Sequence, residues 1–117
     1  MKESIMKTGS KKQYRKHRAY VMRDARLLPE ADRRWGRLRQ QYSERVRRLR
    51  QASVNHLDPL LKTYEDEVVD NAVAIDAAEH EVVEAEKNLE ASILFYEAAC
   101  EETGIDPQTD RLLQLSA

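Results

Sequence analysis

Residues 61 to 96 read LKTYEDEVVD NAVAIDAAEH EVVEAEKNLE ASILFY, and the fold is decided here. Leu61, Val68, Ile75, Val82, Leu89 and Tyr96 recur at every seventh place, and three residues after each stands Tyr64, Asn71, Ala78, Ala85, Ser92 or Ala99. A heptad abcdefg with apolar residues at a and d winds one stripe along a helix and makes that stripe a seam for a second helix. Large residues at a and mostly small ones at d let the neighbouring backbone come close. The polar Asn71 lowers the stability of such a seam and can fix its register. The spacing predicts one helix over 59–102, opened by Asp58-Pro59 as cap and first-turn proline and closed at Thr103-Gly104.

Upstream lies the partner arm. Trp35, Leu38, Tyr42, Val46, Leu49 and Ser53 share a stripe about 100 degrees wide, which predicts a second helix over 30–54 whose other faces are mainly Arg and Gln. Tyr14, Val21, Ala25 and Leu28 predict a basic helix over 10–28 in the same way. Between them Pro29 removes a helix hydrogen bond and disfavours helical geometry at Leu28, so a break or kink is expected there. Residues 1–9 carry no periodicity and read as a loose tail. Asn55 suits a left-handed helix end, leaving a turn short enough to set the arms antiparallel. Downstream, Asp106-Pro107 repeats the cap-plus-proline signal and predicts a short helix over 107–115 with Leu112, Leu113 and Leu115 on it. The expected architecture is a single all-α domain, an elongated antiparallel helical hairpin or coiled coil with its first arm kinked near Pro29.

Composition agrees with that reading. Only three Gly and three Pro occur in 117 residues, of which 35% are charged, so there are too few turn formers for a sheet protein. The charge is segregated: 18 Lys and Arg stand against 6 Asp and Glu up to Lys62, a net +12, and 2 against 15 afterwards, a net −13. Each block is stable only beside something of opposite sign, either the other arm or a partner. Cys100 is the single cysteine, which excludes an internal disulfide and a cysteine-based zinc cluster. Neither a signal-like apolar run nor about 18 consecutive apolar residues is found, so a soluble, cytoplasmic protein is expected, with no integral membrane association.

Function is sought first in the basic half. Lys11, Lys12, Arg15, Lys16, Arg18, Arg33, Arg34, Arg37, Arg45, Arg47 and Arg48 are the candidate nucleic-acid contacts, because Arg and Lys neutralise phosphates and a helix carrying them around its circumference can lie along a groove. No base-reading motif accompanies them, so binding would be directed at the backbone. Trp35, Leu38, Tyr42, Leu49, Val68, Ile75, Val82, Leu89 and Tyr96 are the candidate protein interface, and the narrow core implies a homo-oligomer or a larger assembly. Asp76, His80 and Glu84 have the spacing of metal ligands on one helix face, but their heptad places point outward and read as a solvated face. His17 and His56 stand without carboxylate or thiolate partners at ligand spacing. No phosphate loop or nucleophile motif is present, so neither enzyme activity nor a cofactor is expected. The expectation is a helical accessory or assembly subunit that contacts nucleic acid through its basic half and proteins through its heptad helix. Its rival is a purely structural hairpin, such as a scaffold, chaperone or virion component, whose two arms neutralise each other. Association of the basic half with an anionic membrane surface is a third reading.

Overall fold

The computed structural model describes the backbone of residues 2–54 and 58–109, with side chains from residue 11 onward within those ranges. Helix α1 runs Lys2–Ser53 and helix α2 Leu61–Thr103, followed by a 3-10 turn at Pro107–Thr109; among the described residues there is no strand. The two long helices pack on each other as an all-α helical hairpin. Contacts divide the chain into two compact units, residues 1–29 with 84–117 and Glu30–Val83.

Two expectations are corrected. Residues 2–9 belong to α1 rather than to a loose tail, and Pro29 lies inside α1 without ending it. The reason is legible once the heptad is carried through the proline. Tyr14, Val21, Leu28, Trp35, Tyr42 and Leu49 hold position a in unbroken phase, and His17, Asp24, Ala31, Leu38, Arg45 and Ala52 hold d; none of the twelve is exposed. Pro29 falls at b on the exposed side. Its missing N–H leaves the Ala25 carbonyl without the usual partner, while Leu28 just before and Trp35 just after keep the seam in step. In α2, too, every a and d residue from Leu61 to Ala99 is buried or half-buried.

In the Glu30–Val83 unit the order of contacts is antiparallel. Arg48 meets Glu67 at 3.7 Å near the turn, and Arg34 meets Glu81 at 3.6 Å farther from it. Ala52, Ala78 and Val82 are buried in this seam. Asn71, only 1% exposed, accepts a 2.6 Å hydrogen bond from Arg45 Nη1 and donates one of 3.0 Å to the Leu38 carbonyl. Both polar ends of its amide are thereby satisfied. The indole N–H of Trp35, by contrast, is buried with no partner, while the Arg39 guanidinium covers the ring at 4.0 Å. Asp58 caps the second arm as expected, its carboxylate accepting the Leu60 N–H at 2.9 Å. Asn55 and His56 lie outside the described residues.

The other unit is centred on Val21, Tyr96 and Cys100, with Tyr14, Leu89, Ile93 and Ile105 packed against them. The Tyr14 and Tyr96 rings lie 5.7 Å apart, tilted by 33°. Asp24, buried at d, accepts a short hydrogen bond from the Ser92 hydroxyl and one of 3.1 Å from Arg23 Nε. The end of α2 is a Schellman motif: Gly104 takes φ 74°, its N–H bonds the Glu101 carbonyl, and the Ile105 N–H bonds the Cys100 carbonyl at 3.0 Å. That reversal turns Ile105 back onto the core. Asp106 then caps Pro107–Thr109 through a 2.9 Å bond from the Gln108 N–H. The remainder of the expected 107–115 helix, including its three leucines, lies outside the described residues.

Two substitutions test these contacts. Gly36 sits mid-helix, and a Cβ added there would meet nothing within 4 Å, so Gly36→Ala should stabilise the chain by about 0.5–1 kcal/mol in denaturant unfolding. Asn71→Ala should destabilise by about 1–3 kcal/mol, because the Arg45 guanidinium loses its acceptor in a half-buried place. Replacing Asn71 and Arg45 together by Leu should recover that loss in the same measurement, since no stranded polar group is then left.

Candidate nucleic-acid interface

The heptad sorts the basic side chains of α1 by what they face. In the Glu30–Val83 unit Arg33 and Arg47 occupy f, directly opposite the seam, with Arg37 at c and Arg50 at b beside them; all four are exposed. None of these four meets a carboxylate among the described residues. Arg34 and Arg48 occupy g and form the two ion pairs with α2, at 3.6 and 3.7 Å, while each side chain stays more than half exposed. Pairs of that exposure contribute about 0–1 kcal/mol and are screened by salt. Arg48 also lies over the Tyr64 ring at 5.6 Å. Arg45 differs from the rest of the expected set, because d turns it into the seam onto Asn71.

In the other unit Lys11, Lys12, Arg15 and Lys16 are exposed. Arg18 is half-buried and directs Nη1 toward the Met22 sulfur at 3.7 Å. Tyr20 gathers cations, with Lys16 Nζ 5.9 Å and the Arg23 guanidinium 4.9 Å from its ring centre. Arg23 and Arg26 are exposed members of this face that were not among the expected contacts. Arg26 is at f, as is Lys12, and the heptad phase of Tyr14 and Val21 carries the signal for it. Arg39 and Arg50, also outside the expected set, are exposed on the same helix. Lys62, counted with the basic half, is engaged within α2: its 3.0 Å hydrogen bond to Asp66 holds the ammonium above its ordinary pKa.

The nine residues expected to form a protein interface all lie on the seams between α1 and α2 of the same chain. The apolar surface left outside those seams is different. Val69 and Val73, 60% and 64% exposed, stand one turn apart on the outer face of α2. In the other unit the adjacent residues Leu94 and Phe95 are likewise exposed, at 63% and 60%. Asp76, His80 and Glu84 are exposed, and among the described residues no three His, Cys, Asp or Glu gather as metal ligands. Among the same residues no helix is long and apolar enough to cross a membrane. Comparison of the chain with protein-family models, with curated proteins and with solved structures gave no match.

Proposed function

We propose that this chain is a non-enzymatic helical accessory or assembly subunit that contacts the nucleic-acid backbone through the outer face of α1. The observation that carries the reading is the set of exposed, acid-free guanidinium groups at Arg33, Arg37, Arg47 and Arg50. The seam holds α2 and its carboxylates on the opposite side of α1, so phosphates can approach this face without displacing an ion pair. No side chain here is arranged to read base edges, so the contact is backbone-directed. Protein contacts, a second copy of the chain included, are assigned to the outer face of α2, where Val69 and Val73 leave β-branched apolar groups in solvent.

The structural-hairpin reading has its own support in the Arg34–Glu81 and Arg48–Glu67 pairs, which do neutralise part of one arm with the other. The two readings separate on which arginines matter for what. Changing Arg33, Arg37, Arg47 and Arg50 together to Gln should not lower the thermal melt, since it relieves like-charge repulsion. It should weaken binding to mixed-sequence DNA and RNA and flatten the salt dependence, whose log-log slope is about −0.9 per phosphate contacted on B-DNA. Changing Arg34 and Arg48 to Gln should instead lower stability by no more than about 1 kcal/mol per pair. Absence of any nucleic-acid binding by the intact chain at low salt would sink the proposal and leave the structural hairpin.

A further inference from the structure

Phe95 is the only phenylalanine of the chain, and it is 60% exposed on a helix of whose other exposed residues half are acidic. An aromatic ring of this size ordinarily goes inside. Nothing in the packing of α2 requires it where it is, since position g carries Glu67, Ala74, Glu81, Asn88 and Glu102 elsewhere on the same helix. The ring is nevertheless held in place. His17 of α1 stacks on it at 5.5 Å between ring centres and 18° between planes, and Tyr20 braces that imidazole edge-on at 6.0 Å. One face of the ring lies against His17, and the residue as a whole stays 60% exposed.

The surroundings favour a flat, anionic ligand. One turn to either side along α2 stand Ala91, Ser92, Ala98 and Ala99, all small and uncharged, which interrupts the acidic surface around the ring. On α1 the Lys16 ammonium and the Arg23 guanidinium are drawn onto Tyr20, the ring that braces His17, and Arg23 Nε also bonds the Asp24 carboxylate at 3.1 Å. A fixed aromatic ring, small uncharged neighbours along the helix and cations gathered on the ring that supports the stack are what a nucleobase and its phosphate require together.

We infer that the Phe95 ring, backed by His17 and flanked by the Lys16 and Arg23 cations on Tyr20, is a base-stacking platform, and that the preferred nucleic acid is therefore single-stranded. A duplex keeps its base faces stacked internally and offers an exposed ring only edges and phosphates, whereas an unpaired base offers a whole face. Stacking of this kind tolerates any base, in keeping with the absence of base-reading groups. The inference rests on the reading of α1 as a nucleic-acid-contacting face and adds to it which form is taken.

Fluorescence anisotropy with a labelled oligothymidylate of about 15 nucleotides and a duplex hairpin of matching charge separates the two claims. The intact chain should bind the single strand more tightly than the duplex. Phe95→Ala should weaken single-strand binding roughly 5- to 100-fold, with duplex binding unchanged and the thermal melt only slightly lowered by loss of the His17 stack; Phe95→Trp should restore single-strand binding. Leu94→Ser, which removes the neighbouring exposed apolar group, should have no effect on either ligand. A preference for duplex, an equal loss on both ligands in Phe95→Ala, or a Phe95→Ala variant whose only change is a lower solution mass would overturn the platform. The last of these would assign the ring to a protein interface. Each of those outcomes leaves the Arg face standing if the four-arginine variant still loses binding, whereas no binding of the intact chain to either ligand removes both readings.

Discussion

Two groups of α1, the Arg45 guanidinium and the Leu38 carbonyl, meet a single amide of α2, that of Asn71. This contact sets the register of its unit. Apolar side chains alone would let two heptad helices slide by a repeat at little cost, because one large residue at a is much like the next. A slide would strand a buried amide and a half-buried guanidinium, each costing about 1–3 kcal/mol when unpaired. The other unit has a polar pair of its own at the equivalent position, Asp24 with Ser92. Once these pairs are set, the remaining contacts follow in each unit, including Arg34 with Glu81 in one and Tyr14 with Tyr96 in the other.

Register in turn decides which charges are left outside. In the Glu30–Val83 unit position g of α1 meets position g of α2, and the Arg34–Glu81 and Arg48–Glu67 pairs form there. Among the described residues no side chain at b, c or f of α1 forms an ion pair with α2. The acids of α2 can therefore neutralise only the flanks of α1, and the outer row keeps a density of like charge that weakens the folded state through self-repulsion. Segregating charge along the chain is a poor route to stability when only g positions benefit and each pair is worth so little. That imbalance is the physical ground for looking to a partner of opposite sign.

Much of the fold could be read from residues alone. The α2 heptad, the Asp58 and Asp106 caps and the Gly104 stop are all local signals, and each reappears in the structure with its hydrogen bond. At Pro29 the local signal, a missing N–H, does not distinguish a kink from a break, and the helix continues because Leu28 and Trp35 on either side keep the heptad in phase. Arg45 was placed with the surface cations because its type, rather than its d position, was read. The stacking of His17 on Phe95 had no sequence signal at all, since it joins residues far apart in the chain whose meeting depends on register.

Cys100 lies at the centre of the unit that Val21 and Tyr96 complete, 1% exposed, beneath the Ile105 lid formed by the Gly104 reversal. Its sulfur can be reached by a reagent in water only when that unit opens, and no second thiol competes for the signal. The chain thus carries a built-in clock for local unfolding. The rate at which its one thiol becomes modifiable reports the loosening of Val21, Tyr96 and Ile105, and separates that event from opening of the Glu30–Val83 unit, which has no sulfur of its own.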